Sequence, residues 1–258
     1  MNLEEYTKHD AIGLAELVKK GEVTDKELAN LSHEALNNVN NSLNAVVAVF
    51  DEPYKEESGE KAIFKGVPTF IKDLGASIAG ITQESGSRLT KGLVAPLTTN
   101  FAQNMLNSGL QFIGRSACPE FGLTLTTESL AQGATRNPWN TDHIAGGSSG
   151  GSAALVAAGV VPLAHSNDGG GSTRVPASCC GNVGLKASRG RISLGPIMND
   201  VNSPIIAEGC NSRTVRDTAA FLDAVSKPAI GEAIMNNFKK ESFLSLMGEA
   251  PKKYKIAV

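Results

Sequence analysis

Two serines lie inside a run of glycines that leads directly into apolar, helix-forming sequence. The segment AGGSSGGSAALVAAG (145–159) places Ser148 and Ser149 among four glycines and continues with alanine, leucine and valine. The run is short and unrepeated, which argues against a flexible linker. It contains G-x-S-x-G twice, but a nucleophile elbow needs an apolar strand before the serine, and the preceding NPWNTDHIA is polar. We therefore expect a rigid helix start with closely approaching backbone, where free N–H groups favour developing negative charge.

A second glycine run holds another serine. In DGGGSTRVPAS (168–178), three glycines that follow a predicted strand precede Ser172. Glycines allow successive backbone N–H groups to point into one concave site, which is what an oxyanion hole requires. The alternative is an ordinary glycine-rich turn, braced by an ion pair between Asp168 and Arg174.

Lys72 lies at the end of the apolar segment GVPTFIKDLG (66–75). A lysine in this position commonly extends its ammonium group to solvent. If the amine is instead buried, its pKa falls and the neutral form becomes available as a base.

The segments around these residues predict alternating strands and helices. Helices are expected at 9–20, from a capping box at Thr24–Glu27 onward, at 99–108, from Ser149 onward and at 215–225; strands are expected at 44–50, 66–75, 110–115 and 159–168. This order predicts an α/β fold with a largely parallel central sheet. Residues 116–147 form a long loop of the kind that is usually functional. A final strand in KKYKIAV (252–258) has no helix after it, so we expect a fold that is incomplete on its C-terminal side.

Composition excludes several classes of partner. The 258 residues are 41% hydrophobic and 19% charged with a net charge of −2, which favours neither nucleic acid nor an anionic membrane. The polar N-terminus is no secretory signal, and the four cysteines lack zinc-site spacing. No nucleotide-binding glycine motif is present. The sequence predicts a cytoplasmic protein with reduced cysteines and without metal or organic cofactor.

The combination of motifs resembles the amidase signature family of serine hydrolases. The resemblance runs through GVPTFIKDL, TTESLAQGATRNPWN, AGGSSGGSAA, DGGGSTRVPASCCGNVGLK and RGRISLGP, about half of the chain. GATRNPWN and RGRISLGP are also similar to amidases that act on cyclic 6-aminohexanoate-type oligomers. The resemblance implies an amidase-signature fold, with a mixed, largely parallel sheet flanked by helices. It assigns 1–60 to a helical N-terminal segment, 61–225 to the catalytic core of one domain, and 226–258 to a linker into a further C-terminal part.

The resemblance also implies a role for each motif residue. The family uses a Ser–cis-Ser–Lys triad, which here gives Ser172 as nucleophile, Ser148 as the bridging serine after a cis peptide, and Lys72 as base. Oxyanion donors are expected from the backbone of Ser172 and the three glycines before it, while Ser149 and the Asp168–Arg174 pair would support the loop. The glycines concerned are Gly169, Gly170 and Gly171.

The expected reaction is hydrolysis of a small-molecule carboxamide, linear or cyclic, through a seryl acyl-enzyme. The alternatives are a glutaminase-type subunit of a tRNA-dependent amidotransferase, an inactive fragment of an amidase, and a module that binds an anion without turnover. An open sheet edge would favour self-association into a homo-oligomer.

Overall fold

The computed structural model describes residues 1–198, 205–232, 241–248 and Lys253. Seven helices are assigned in these ranges: α1 Leu3–Lys8, α2 Ala11–Lys19, α3 Asp25–Leu43, α4 Asn100–Asn107, α5 Gly150–Ala157, α6 Arg174–Cys180 and α7 Val215–Val225. The eight strands are β1 Val46–Tyr54, β2 Pro68–Lys72, β3 Gln111–Ser116, β4 Glu128–Ser129, β5 Gly133–Ala134, β6 Leu163–Asp168, β7 Val183–Gly184 and β8 Ala207–Ser212, and a 3-10 turn covers Glu120–Gly122.

Capping side chains mark the observed helix starts. Thr24 and Glu27 form the expected capping box at the start of α3, and the side chains of Thr99 and Thr214 accept the backbone N–H groups that open α4 and α7. Helix α4 ends before Gly109, whose φ of +91° only glycine adopts readily.

The strands form a mixed sheet arrangement. One three-stranded sheet has the order β1-β3-β2 and another the order β6-β8-β7. Strand β2 is parallel to β3, whereas the β1–β3, β6–β8 and β7–β8 pairs are antiparallel. The expectation of a mixed sheet is therefore confirmed, but its largely parallel character is wrong for the described strands. Two features cause this: β1 is antiparallel to β3, and β8, an unpredicted strand, lies between β6 and β7 and runs against both.

The two sheets meet edge to edge at β2 and β6. The Thr69 hydroxyl donates to the carbonyl of Leu163 at 3.0 Å, and the backbone N–H of Lys72 donates to Nδ1 of His165 at 3.1 Å. From the first contact to the second, the residue number increases on both strands, so β2 and β6 run in the same direction. Their carboxyl ends, which carry Lys72 and Asp168, therefore lie side by side.

Helix α5 is the buried centre of the fold. All of its residues from Gly150 to Val156 are buried, which explains why its sequence is apolar on every side. It packs within a core shared by α3 and the strands β2, β3 and β6. This core includes Leu36, Phe70, Ile113, Leu155 and Val161. A second core joins the N-terminal helices to α4 and α7 and includes Tyr6, Leu14, Phe101, Met105 and Phe221.

The helices and strands that the sequence patterns did not predict are α1, α6, β4, β5, β7 and β8. The strand expected at 252–258 lies outside the described residues, apart from Lys253. Within the described part of the chain, no helix combines the length and apolar character needed to cross a bilayer.

Candidate active site

Lys72 is completely buried at the end of β2. Its side chain is 0% exposed, and its Nζ lies 2.7 Å from Oγ of Ser148 and 2.6 Å from Oδ1 of Asn167. Burial lowers the pKa of Lys72 to about 8, although the charges of neighbouring groups oppose this change. The surface alternative for this lysine is therefore excluded. An appreciable fraction of the amine is neutral near physiological pH and is in contact with a serine hydroxyl.

Asn167 determines how the Lys72 amine is oriented. The Nδ2 of Asn167 donates to the carbonyl of Leu74 at 2.9 Å, so its Oδ1 must be the atom that faces Lys72. An amide oxygen can only accept, and it therefore takes an N–H from the amine. The Lys72 amine also donates to Oγ of Ser148, and when the amine is neutral its lone pair can accept the proton of that hydroxyl instead. Sequence reasoning did not single out Asn167; its place directly before Asp168 at a strand end was the available signal.

Beneath the lysine, a buried histidine fixes the strand that carries it. Because Nδ1 of His165 accepts the backbone N–H of Lys72, the ring proton is on Nε2, which lies 2.7 Å from Oε2 of Glu208. The Ser152 hydroxyl donates to the His165 carbonyl at 2.6 Å. His165 and Glu208 come from β6 and β8, and this internal bracing was not predicted from the sequence.

The glycines around the two serines allow backbone to approach closely. A Cβ on Gly147 would lie 2.5 Å from the carbonyl oxygen of Thr126, and one on Gly151 would lie 2.4 Å from the backbone nitrogen of Ala117. The peptide bond between Gly147 and Ser148 is cis, as the family resemblance implies. The close backbone approach expected at this helix start is confirmed.

The free N–H groups expected at the start of α5 are not found at Gly150 and Gly151. The N–H of Gly150 donates to the Thr127 hydroxyl at 3.0 Å, and that of Gly151 donates to the carbonyl of Ala117 at 3.2 Å. The first turn of α5 is buried, and buried donors must find protein partners. These donors therefore fix the loop and strand around Ser148 and are not available to an anion.

The segment that carries Ser148 and Ser149 is joined to the second glycine run. The backbone N–H of Ser149 donates to the carbonyl of Ser172 at 3.2 Å, and the Ser149 hydroxyl donates to the carbonyl of Asn167 at 3.4 Å. Ser149 is 0% exposed, so both contacts are internal. They place Ser148, the predicted bridging serine, and Ser172, the predicted nucleophile, on adjacent segments.

Asp168 organises the turn that follows β6. Its carboxylate accepts the N–H groups of Gly171 at 2.8 Å and Thr173 at 3.2 Å, and the guanidinium of Arg174 donates to both of its oxygens at 2.9 Å. Burial alone would raise the pKa of Asp168, but these hydrogen bonds hold it well below its ordinary range. The ion pair expected between Asp168 and Arg174 is present.

The glycine run supplies fewer free donors than expected. The N–H of Gly171 is already hydrogen-bonded to Asp168. The N–H groups of Gly169, Gly170 and Ser172 donate to no group in the described residues. These three groups, without Gly171, are the donors that the loop leaves available for a developing negative charge.

Ser172 is a buried residue whose hydroxyl has no partner among the described residues. The residue is 7% exposed, its Oγ makes no hydrogen bond to any described residue, and Oγ is not among the fully buried side-chain atoms that lack a partner. Of the two contacts that a proton relay needs, the one between Lys72 and Ser148 is formed, and the one between the hydroxyls of Ser148 and Ser172 is not.

Comparison with known proteins identifies the family. The family model described as Amidase matches residues 27–258. The chain belongs to the amidase signature family. Over 254 residues it is 40% identical to the 6-aminohexanoate-cyclic-dimer hydrolase of Paenarthrobacter ureafaciens, a match that covers 96% of this chain and 52% of that protein.

Solved structures of amidase signature enzymes have the same fold. A 6-aminohexanoate cyclic dimer hydrolase complexed with substrate superposes with a TM-score of 0.86 at 38% identity, covering 95% of this chain and 52% of that one. One chain of the glutamyl-tRNA(Gln) amidotransferase of Thermotoga maritima superposes with a TM-score of 0.75 at 30% identity, covering 93% of this chain and 49% of that one. The chain thus spans about half the length of the relatives it matches.

Proposed function

We propose that this chain carries the catalytic residues of an amidase that hydrolyses a carboxamide through a seryl acyl-enzyme. The observation that supports this proposal most directly is the fully buried amine of Lys72, hydrogen-bonded to Ser148 at 2.7 Å and with its pKa lowered to about 8 by burial. Its hydrogen-bond partners among the described residues, Ser148 and Asn167, are uncharged, and a buried lysine with a lowered pKa suits the role of a base.

In the proposed mechanism, neutral Lys72 accepts the proton of Ser148, which accepts that of Ser172 as its Oγ attacks the carbonyl carbon. The negative charge that forms on the carbonyl oxygen is stabilised by the free N–H groups of Gly169, Gly170 and Ser172. The proton then returns through Ser148 to the leaving amine, and water hydrolyses the ester by the same relay. The relay requires the two hydroxyls to approach on substrate binding, as catalytic hydrogen bonds often tighten in the complex.

The surface beside Ser172 favours an aliphatic substrate. Phe121, Leu123 and Leu125 are 41%, 81% and 48% exposed. A Cβ on Gly122 would lie 3.2 Å from Oγ of Ser148, and one on Gly171 would lie 3.7 Å from Leu125. The loop that bears these side chains therefore borders the reacting groups. We propose that the amide is flanked by methylene chains, in keeping with the cyclic 6-aminohexanoate substrate named for the relatives above.

Labelling with a fluorophosphonate, which transfers its phosphonyl group to activated serines, tests the proposal. The expected result is one label on Ser172, found by peptide mass spectrometry, with no label on Ser172→Ala. Lys72→Met should lower the labelling rate by orders of magnitude, whereas Ser42→Ala, at an exposed position on α3, should leave it unchanged. Labelling of Ser172→Ala at the wild-type rate would exclude this nucleophile, and an unlabelled wild-type chain would favour the inactive-fragment alternative.

The similarity to a chain of the glutamyl-tRNA(Gln) amidotransferase keeps a glutaminase-type activity as the second candidate. Glutamine is polar, and the exposed leucines beside the site do not favour it. Hydrolysis of glutamine in preference to an aliphatic amide, together with co-purification of partner proteins, would support this alternative.

A further inference from the structure

Lys186, which follows β7, holds the glycine loop from the outside. Its Nζ donates to the carbonyl of Gly169 at 2.7 Å and to that of Ile205 at 2.7 Å, and it lies 3.6 Å from Oδ1 of Asp168. The side chain lines a cavity of about 280 Å³ to which Lys72, Ser148 and Ser172 do not contribute. The ammonium group is therefore a structural clamp on a loop whose other side faces the candidate active site.

This clamp determines the direction of one backbone donor. The peptide between Gly169 and Gly170 is not among the cis bonds, and in a trans peptide the C=O and the following N–H point in opposite directions. Because the Gly169 carbonyl is held toward Lys186, the N–H of Gly170 must point away from that cavity. A Cβ on Gly170 would meet no atom within 4 Å, so the space around Gly170 is open.

Without Lys186 this peptide would have little to hold it. Both residues are glycine, so rotation of the peptide plane meets no steric resistance from side chains. Asp168 fixes the N–H groups of Gly171, Thr173 and Arg174, but it accepts no hydrogen bond from Gly169 or Gly170. The hydrogen bond from Lys186 to the Gly169 carbonyl is therefore the contact that favours the observed orientation of this peptide over the flipped one.

We propose that Lys186 is a positioning residue for the oxyanion site: by holding the Gly169 carbonyl, it aims the Gly170 N–H at the oxygen that becomes negative during attack by Ser172. This inference rests on the proposed function, since it assigns the purpose of the orientation to acyl transfer. Lys186 itself touches no reacting atom.

Three variants test the inference. Lys186→Met removes the donor atom but keeps an unbranched apolar side chain, and Lys186→Gln has an amide N–H that can still donate to Gly169. Lys26→Met is an exposed control on α3. The inactivation rate and the reversible affinity for a fluorophosphonate are measured separately. For Lys186→Met we expect the maximal inactivation rate to fall about tenfold or more with little change in affinity, because a misdirected donor affects mainly the charged transition state. Lys186→Gln should recover part of the rate, and Lys26→Met should match the wild type.

A crystal structure of Lys186→Met gives a second readout that does not depend on labelling. Reorientation of the Gly169–Gly170 peptide supports the inference. An unchanged peptide, or an inactivation rate for Lys186→Met equal to that of the wild type, overturns it. If the wild-type chain is not labelled, the proposed function fails. The crystal structure of Lys186→Met then still shows whether Lys186 determines the orientation of the Gly169–Gly170 peptide. If Lys186→Met does not fold, the same two measurements are made on Lys186→Gln, with a smaller loss of rate as the expected result.

Discussion

Replacing Asn167 with aspartate would place a carboxylate oxygen where the amide oxygen now accepts a hydrogen bond from Lys72, 2.6 Å from Nζ. The negative charge would stabilise the ammonium form of Lys72. An opposite charge at such short range typically raises the pKa of a lysine by about 1 to 3 units. The pKa of Lys72, lowered by burial to about 8 in the wild-type protein, should therefore rise to about 9 or above in Asn167→Asp.

The change in pKa translates directly into reactivity of Ser172, because only neutral Lys72 can accept the relayed proton. At pH 8 about half of the wild-type lysines are neutral, and with a pKa of 9 the fraction falls to about 9%. The labelling rate at pH 8 should thus fall about fivefold or more, and the rising limb of the rate should move to higher pH.

The assay is fluorophosphonate labelling followed by intact mass spectrometry between pH 6 and about 10.5, near the ordinary pKa of lysine. Asn38→Asp adds the same charge at an exposed position on α3 and should leave the profile unchanged. The same rising limb in Asn167→Asp as in the wild type would refute the assignment of Lys72 as the base, because its protonation would then have no influence on the rate.

The remaining predictions concern stability. Gly151→Ala should destabilise the protein by about 1–3 kcal/mol in urea unfolding, since its Cβ would lie 2.4 Å from the backbone nitrogen of Ala117, whereas Gly59→Ala, with nothing within 4 Å, should be neutral. Asp168→Ala should cost about 3 kcal/mol in the same measurement by leaving the turn donors unpaired; a loss much below 1 kcal/mol would contradict the role of Asp168 in the turn. Burial raises the pKa of Asp217 to about 6, so the folded state binds more protons than the unfolded state and stability should fall as pH rises from about 4 to 6. Asp217→Asn should reduce that fall in thermal melts at the two pH values, and an undiminished fall would show that another group causes it.

Most of the secondary structure around the site followed from local signals. The sequence pattern alone predicted the helices α3, α4 and α7 and the strands β2, β3 and β6. Threonines begin these helices and apolar runs form these strands, and both signals act through neighbouring residues. Strand β8 has no such signal, because its buried residues include the polar Glu208 and Asn211. The cost of burying these two side chains is offset only by hydrogen bonds to residues that are distant along the chain. Helix α6 was missed because it begins directly after a glycine run and contains Pro176 near its start.

The candidate site shows the same division. The motifs predicted which hydroxyls and which amine to consider, and the structure places Lys72 against Ser148 as expected. They did not predict Asn167, His165 or the clamp by Lys186, because each of these contacts joins residues that are distant along the chain. The motifs also overstated the free backbone donors, since which N–H groups of a glycine loop are already bonded depends on neighbours such as Asp168 and Thr127.

The sequence by itself determined the chemical groups and the freedom of the backbone that carries them: two serines among glycines, a third serine after a glycine run, and one lysine at a strand end. Only the tertiary structure decided the state of that lysine. Its pKa is lowered by removal from water between β2 and β6, and its amine is hydrogen-bonded to Asn167, 95 positions away along the chain. Burial and distant hydrogen bonds are properties of the packed chain, and no local pattern of residues encodes them.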